Sequence, residues 1–229
     1  MEWSEIQTRD SIYLNLGGGD NCHPKKEFEN YISVDIDPPG ESYSVKHDLT
    51  KPIPLPDNSV ERIHSEDFLE HIDQNSIVSL LGECFRILKP DAFMRIGVPD
   101  YNNPKDRVYM LQQNDPRYPL HVTFMNYNLL KGLIERSPFS EYKFYQYWQE
   151  DSFYNEPIDY TKGRVLRTPD NHPRNTRKGI IKKTVRFFSD FIFKVKRNFK
   201  QTKLEMVVRK GHPYHVTSVV VDLWKGNSD

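Results

Sequence analysis

Three consecutive glycines, residues 17–19, follow directly after a short apolar run over residues 12–16 (IYLNL). A second apolar run over residues 31–35 (YISVD) ends in a carboxylate, Asp35, 18 positions after Gly17. Glycine lets the backbone take either sign of φ and approach a ligand closely, and an acid at the end of a second strand can bind ribose hydroxyls. Cys22 stands where a dinucleotide fingerprint would have its third glycine. The pattern predicts a nucleotide-like ligand outside the dehydrogenase class, although an ordinary glycine-rich loop would have the same composition.

Strand and helix patterns alternate along the first half of the chain. Apolar runs bounded by turn residues predict strands over 12–16, 31–35, 61–65 and 92–98. Apolar residues at helical spacing predict helices over 67–88 and 126–136, and later apolar runs predict a strand pair over 142–148 and 216–224. This alternation is typical of an α/β fold with a parallel sheet and helices on its faces.

The formal net charge of zero conceals a strong asymmetry. Residues 1–161 carry 15 Lys and Arg against 27 Asp and Glu, whereas residues 162–203 carry 14 against 2. We interpret residues 1–229 as a single domain in which residues 155–203 form a basic loop-plus-helix insertion before the last strand. The amphipathic helix predicted over 179–200 has three open interpretations: contact with an anionic membrane surface, packing on a second subunit or helix, or a solvated cover on the sheet. The acidic body would repel a phosphate backbone, so we expect no nucleic acid partner.

Several classes of protein are excluded by composition. No run of about 18 apolar residues occurs, which excludes a transmembrane helix. The first residues, MEWSEIQTRDS, lack the basic and apolar regions of a signal peptide. Two cysteines, Cys22 and Cys84, form neither a disulfide framework nor a metal-ligand cluster. We therefore predict a soluble, cytoplasmic protein.

Six short motifs occur in a fixed order: LNLGGG (14–19), VDIDP (34–38), DLTKPIPLPDNSVE (48–61), EDFLEHI (66–72), LKPDA (88–92) and VPD (98–100). Together they resemble the class I S-adenosylmethionine-dependent methyltransferases over residues 12–135, and most of all their glycan-associated branch. They are also similar to the methyltransferase domain of large-virus multidomain glycan-synthesis enzymes. The resemblance implies a Rossmann-like, seven-stranded, mostly parallel sheet with helices on both faces and an antiparallel C-terminal strand. The family's LKPGG is here LKPDA, a change in a turn away from the cofactor.

The resemblance implies a cofactor, S-adenosyl-L-methionine, whose product is S-adenosyl-L-homocysteine. The glycine turn would hold the methionine part, Asp35 the ribose hydroxyls, Asp48 the adenine amino group and Glu66 the methionine amine. The full implied set is Asn15, Leu16, Gly17, Gly18, Gly19, Asp35, Ile36, Asp48, Leu49, Glu66 and His71. Within it, Ile36 would pack on adenine, Leu49 would donate a backbone hydrogen bond, and His71 would border the cofactor. Asp35 could instead be a strand-end turn residue and Asp48 a helix or turn cap, and we expect His71 to be a packed helix residue beside the cofactor and not a catalyst.

A hydroxyl acceptor needs a general base, since its proton must leave during methyl transfer. The candidates are Asp67, His121 and Asp100, of which the two acids follow the fourth and fifth predicted strands. Asp67 could instead be a helix N-cap, Asp100 a turn cap and His121 a surface or core residue. We predict no metal site, because Glu66 and Asp67 are not part of a tight acidic cluster; a metal-dependent variant remains an alternative.

Aromatic residues are concentrated over 142–160, where they suit either a sugar site or a core strand with its loop. With the resemblance, this favours an O-methyltransferase acting on a sugar hydroxyl of a glycan, such as a terminal rhamnose or another deoxyhexose, in a viral protein. Expected partners are a glycan or small-molecule acceptor, glycosyltransferase domains in the same pathway or chain, a membrane surface and a second subunit. The core begins about 12 residues into the chain, which would suit a domain excised from a longer protein. The alternatives are a quinone-type methyltransferase at a membrane surface and a non-catalytic scaffold with the methyltransferase fold.

Overall fold

The computed structural model describes residues 1–18, 30–38, 40, 43–103, 121–159, 161 and 218–226. Within these ranges the chain forms eight strands, three α-helices and one short 3-10 turn at Leu69–His71. The helices are α1 (Trp3–Gln7), α2 (Gln74–Ile87) and α3 (Tyr127–Glu135). The strands are β1 (Tyr13–Leu16), β2 (Tyr31–Asp35), β3 (Ser44–Lys46), β4 (Val60–Glu66), β5 (Leu88–Pro99), β6 (Glu141–Gln149), β7 (Ser152–Asn155) and β8 (Ser218–Trp224).

All eight strands belong to one sheet in the order β3-β2-β1-β4-β5-β8-β6-β7. The pairs from β3 through β5 are parallel, whereas β8 runs antiparallel to both β5 and β6. The predicted α/β class and antiparallel C-terminal strand are thus confirmed. The predicted count of seven strands is wrong, because the chain turns back after β6 and adds β7 as an exposed edge strand. The helices α2 and α3 pack on each other, and helices on both faces remain a prediction.

The start of α2 differs from the sequence-based prediction of a helix over 67–88. The helix begins after Asp73, whose side chain accepts hydrogen bonds from the backbone N–H groups of Asn75 and Ser76. Asp67 is therefore not the N-cap. A carboxylate that caps the first free N–H groups fixes where a helix starts, and the residues before it form the 3-10 turn instead.

One ion pair between an arginine and an aspartate is buried in the core of the sheet. The strands β5 and β8 are buried along most of their length. Arg95 and Asp222 face each other across these two strands, and two hydrogen bonds of 2.7 Å join the guanidinium to the carboxylate. Arg95 also donates to the backbone oxygen of Asp159 at 3.0 Å. Removing one partner of a buried ion pair would leave the other charge unpaired in the interior. The bond from Arg95 to Asp159 also joins the segment after β7 to the centre of the sheet.

Most of the predicted basic insertion, including the helix over 179–200, lies outside the described residues. The described part of the insertion begins at the end of β7 and continues to residue 161. The single-domain organisation stays a prediction. In the described ranges we find no helix with the length and hydropathy that a membrane span requires.

Candidate functional site

The glycine turn leaves the carboxyl end of β1 in a left-handed conformation. Gly17 has a φ of +66° and donates its N–H to the backbone oxygen of Val34 at 2.9 Å. A Cβ atom at this position would overlap the ring of Phe68, which belongs to the connection after β4. Glycine is therefore required at this position by the backbone angle and by the neighbouring ring of Phe68, whether or not a ligand binds there.

The other residues of the turn are placed by β1. Asn15 and Leu16 are buried within the sheet, where Asn15 lies between Ser33 of β2 and His64 of β4 in register. Gly18 is also buried. Gly19 lies outside the described residues, so its predicted role is unaddressed by the structure.

Asp35 ends β2 at the same edge of the sheet. Its Oδ1 accepts a hydrogen bond from the N–H of Asp37 at 3.0 Å, and its backbone oxygen accepts one from His47. Asp35 is thus the strand-end turn residue that the alternative interpretation expected, and its side chain remains half-buried. The next residue, Ile36, is 64% exposed. An exposed apolar side chain beside a carboxylate suits a nucleoside, because the apolar side chain can pack on the purine and the carboxylate can accept the ribose hydroxyls.

Asp48 follows β3 and caps a turn. Its Oδ1 accepts hydrogen bonds from the N–H of Thr50 at 2.9 Å and from the Thr50 hydroxyl at 2.7 Å. These two bonds, the hydroxyl first, hold the pKa of the Asp48 carboxyl below its usual value, so it is ionised at neutral pH. Both of these bonds fall on Oδ1. Leu49 is buried in the core, which fixes the backbone beside Asp48.

Glu66 and Asp67 lie where β4 leaves the sheet. The Glu66 side chain is 7% exposed and lies 3.5 Å from Nε2 of His64, two residues earlier on the same face of the strand. Since Leu16 pairs with Ser65, Glu66 comes next to the glycine turn. Asp67 has a φ of +56° and donates its N–H to the backbone oxygen of Gly97. Two successive acids, Glu66 and Asp67, therefore lie at the carboxyl end of β4.

His121 contacts Tyr101 and His71. Its Nδ1 lies 2.6 Å from the hydroxyl of Tyr101, and its ring packs edge-to-face on His71 with centroids 4.9 Å apart. Ligand atoms of Glu70, His71 and His121 all lie within 4.8 Å of one another. Glu70 is fully buried, His121 half-buried and His71 exposed. His71 is therefore an exposed residue at the end of the 3-10 turn, not a packed helix residue.

Asp100 follows β5 and is fully buried. Its Oδ1 accepts from the N–H of Asn102 at 3.0 Å, and its Oδ2 accepts from the N–H of Trp148 at 2.6 Å. These bonds match the alternative interpretation of Asp100 as a turn cap, and they also attach the end of β6 to the end of β5. A catalytic role for Asp100 stays a prediction.

Sequence reasoning missed Glu70 and Tyr101. Glu70 belongs to the LEHI motif and Tyr101 follows VPD directly, so both lay inside segments already singled out. What the sequence lacked was the spatial link between them. The backbone oxygen of Glu70 accepts N–H groups from Val122 and Thr123, and this contact brings the segment of His121 to the motif.

A family model described as a methyltransferase domain matches residues 16–96, the part of the chain that contains the glycine turn and β2 to β5. A probable S-adenosylmethionine-dependent methyltransferase of Mycolicibacterium smegmatis (strain ATCC 700084 / mc(2)155) is 31% identical over 97 residues. That alignment covers 42% of this chain and 34% of the relative, so the chain spans about a third of that relative's length.

Solved structures of methyltransferases share the fold along nearly the whole chain. A SAM-dependent methyltransferase from Archaeoglobus fulgidus superposes with a TM-score of 0.53 at 18% identity, over 97% of this chain and 90% of that one. A possible histamine N-methyltransferase from Thermotoga maritima gives 0.52 at 15% identity, over 96% and 84%. Identities this low show the fold alone. Residues 16–96 therefore match a methyltransferase domain, and the fold is the one seen in these solved methyltransferases.

Proposed function

We propose that this chain binds S-adenosylmethionine at the carboxyl edge of β1, β2 and β4 and transfers its methyl group to a sugar hydroxyl. The observation that carries the cofactor proposal is the set of side chains at this edge, where the carboxylates of Asp35, Asp48 and Glu66 accompany the exposed Ile36. Carboxylates bind hydroxyl and amine donors, and an apolar face suits a purine. The residues present therefore fit the cofactor. When bound, S-adenosylmethionine supplies a methyl group already activated on a sulfonium, which leaves alignment and water exclusion to the protein.

Each residue has a defined task in this proposal. Asp35 accepts the ribose hydroxyls and Ile36 packs on adenine. Oδ2 of Asp48 accepts the adenine amino group, since Oδ1 is engaged by Thr50. The backbone N–H of Leu49 donates to the same ring. Glu66 faces the amine of the methionine part.

The remaining cofactor residues are the turn itself and His71. The turn residues Asn15, Leu16, Gly17, Gly18 and Gly19 shape the backbone around the methionine part. His71, on the connection after β4, borders the cofactor.

Asp67 is the base that we favour for removing the acceptor proton. It follows Glu66 directly and is held at the sheet edge by its hydrogen bond to Gly97. Its left-handed backbone is a sparsely populated conformation, and such conformations are concentrated at functional sites. Asp100 is less suited, because both of its oxygens accept backbone N–H groups in the interior. His121 is less suited because it belongs to the cluster with Glu70 and His71.

The choice of a sugar as acceptor is supported by the aromatic hairpin β6–β7. Trp148 and Phe153 pair across the hairpin with ring centroids 5.3 Å apart. The bond from the Trp148 N–H to Asp100 keeps this end of the hairpin at the same edge as the cofactor residues. Aromatic faces stack on the apolar faces of sugars, and the exposed acids Glu150 and Asp151 at the hairpin tip can accept sugar hydroxyls. A terminal rhamnose or another deoxyhexose of a glycan, made by a glycosyltransferase domain of the same pathway or chain, is the acceptor we propose.

The first experiment is calorimetry with S-adenosylmethionine and S-adenosylhomocysteine. We expect micromolar binding by the wild type and a loss of at least about tenfold, or about 1.4 kcal/mol, in Asp35→Ala. Asp10→Ala is the matched control, because Asp10 is an exposed acid before β1 at the opposite edge. If the folded wild type binds neither compound, the enzyme proposal fails and the scaffold alternative takes its place.

The acceptor is tested second, with rhamnosides and other deoxyhexosides against quinone-like phenols. Methyl transfer to the sugars that falls about 10²-fold or more in Asp67→Asn, with cofactor affinity unchanged, supports the proposed base. Transfer to the phenols alone would favour the quinone-type alternative. An Asp67→Asn variant with full activity would exclude Asp67 as the base.

A further inference from the structure

We propose that Glu70, His71 and His121 bind one divalent transition-metal cation. Their ligand atoms, one carboxylate oxygen and two imidazole nitrogens, all lie within 4.8 Å of one another. Ligands about 2.0–2.2 Å from a shared zinc ion in tetrahedral geometry lie roughly 3.3–3.6 Å apart. Side-chain movements of up to about 1.5 Å would therefore bring the three ligand atoms around one ion. This arrangement departs from the sequence-based prediction that the chain has no metal site.

The cluster is built from two segments that the backbone holds together. Glu70 and His71 belong to the 3-10 turn after β4, whereas His121 lies beyond β5. The backbone oxygen of Glu70 accepts from the N–H groups of Val122 at 2.8 Å and Thr123 at 3.0 Å. The Thr123 hydroxyl adds a bond of 2.7 Å to the backbone oxygen of Ile72. These three contacts therefore hold the 3-10 turn and the segment of His121 together before any ion binds.

Tyr101 orients one of the two imidazoles. Its hydroxyl lies 2.6 Å from Nδ1 of His121, and Tyr101 is itself buried and bonded through its N–H to the backbone oxygen of Met125. Histidines that bind metals commonly use their second nitrogen in this way, which fixes the ring and its tautomer. With Nδ1 engaged by Tyr101, Nε2 is the nitrogen of His121 that would bind the cation.

The ligand types select the class of ion. Two imidazoles and a carboxylate suit zinc and its neighbours, whereas magnesium and calcium prefer sites made of oxygen. Glu70 is fully buried, and a carboxylate in the interior is stabilised by a nearby positive charge. Three protein ligands also leave a coordination position open, as in zinc sites that bind a substrate or water.

Metal binding by chelator-treated full-length protein tests the proposal in the absence of any methyl donor, so its outcome is separate from that of the methyltransferase proposal. Zinc is titrated by calorimetry, and cobalt(II) by its visible absorption, which reports the coordination geometry of the bound ion. We expect one equivalent to bind to the wild type. His71→Ala and His121→Ala should each remove this equivalent, and Tyr101→Phe should weaken it by about tenfold to a hundredfold.

His47→Ala is the matched control, since His47 packs on Trp3 away from the cluster. His71 is exposed, so His71→Ala tests the site without risk to the core, whereas Glu70→Gln replaces a fully buried side chain. An equivalent that persists in both His71→Ala and His121→Ala would overturn the proposal. An equal loss of zinc binding in His47→Ala would also overturn the proposal, because binding would then depend on histidines outside the cluster.

Discussion

The two edges of the sheet use their charged residues differently. At the edge where the parallel strands begin, acids pair with lysine and arginine side chains. At the edge where those strands end, Asp35, Asp48 and Asp100 each accept a hydrogen bond from the backbone N–H two residues later, and Asp100 accepts a second from a neighbouring strand. The first arrangement joins distant segments by side chains, and the second orients individual carboxylates.

Arg86 is the centre of the first arrangement. Its guanidinium donates to the backbone oxygens of Ile53 and Leu55 and to the carboxylates of Asp57 and Glu83, at 2.7–3.0 Å. Lys225 works in the same way after β8, where its ammonium donates to Asn58 and Leu88. A third contact joins Lys89 to Glu61, which also accepts the N–H of Ile12. These bonds connect the loops before β1, β4 and β5, so this edge is built for stability.

The second arrangement is suited to binding. A carboxylate held by a neighbouring N–H keeps its negative charge and its position, and the charge is then available to a ligand. Ligands of open α/β sheets bind at the carboxyl ends of the strands, and the acids of this chain follow that rule. The comparison therefore predicts that substitutions at the first edge change stability alone, whereas substitutions at the second change binding.

Gly17→Ala should have the largest effect and is an exception to this division, because the glycine turn at the binding edge also supports the fold. A left-handed alanine costs roughly 1–2 kcal/mol, and the overlap of its Cβ with Phe68 adds about 1–3 kcal/mol of overpacking. We expect urea unfolding to show a loss of roughly 2–5 kcal/mol. Adding Phe68→Ala should remove the overlap and leave the backbone cost, so the two substitutions should be non-additive by about 0.5–3 kcal/mol. Simple additivity would show that Phe68 does not constrain Gly17.

Arg86→Ala should cost about 2 kcal/mol of unfolding free energy, since it leaves the acceptors of Ile53 and Leu55 without this donor. The estimate is kept low because the side chain is 31% exposed. Affinity for S-adenosylmethionine should stay within about twofold of the wild type. Arg86→Lys is the control, because lysine keeps the charge but lacks the planar guanidinium with its several donors. Its unfolding free energy should lie between those of the wild type and Arg86→Ala. A large fall in cofactor affinity in Arg86→Ala would contradict the division between the edges.

Local sequence patterns predicted most of the sheet. Runs with flanking turn residues gave β2 at its observed bounds and β1, β4, β6 and β8 within two residues. The same patterns missed β3, which has three residues and one apolar side chain, and β7, whose side chains are all exposed. Neither strand buries enough apolar surface to produce a periodic signal.

The candidate site was predictable only in its local parts. Asp35 was proposed because it ends an apolar run, which leaves a signal in the sequence, whereas Glu66 was proposed from its place in the EDFLEHI motif. The contact between the LEHI motif and the His121 segment joins residues 51 apart through the Thr123 hydroxyl and the backbone. Backbone hydrogen bonds of this kind place no demand on most side chains, so the sequence carries no mark of them.

The smallest predicted effect compares two turns that share one unusual feature. Asp151 at the β6–β7 hairpin tip and Asp91 before the buried part of β5 are both exposed and have φ values of 61° and 60°. Glycine would adopt this angle without strain, at some cost in chain entropy, so Asp151→Gly and Asp91→Gly should each raise the unfolding free energy by about 0.5 kcal/mol. Equal gains in urea unfolding would show that both turns sacrifice stability by the same mechanism.

The two variants should differ in activity, because the hairpin tip lies at the binding edge and the Asp91 turn at the opposite one. We expect the KM for the sugar acceptor to rise in Asp151→Gly and to be unchanged in Asp91→Gly, with the affinity for S-adenosylmethionine unaltered in both. A rise in both variants, or in neither, would mean that the acid at the hairpin tip is not held in its strained turn for acceptor binding. A rise in the KM of Asp151→Gly alone would show that the Asp151 carboxylate contributes to acceptor binding at the expense of the stability of the turn.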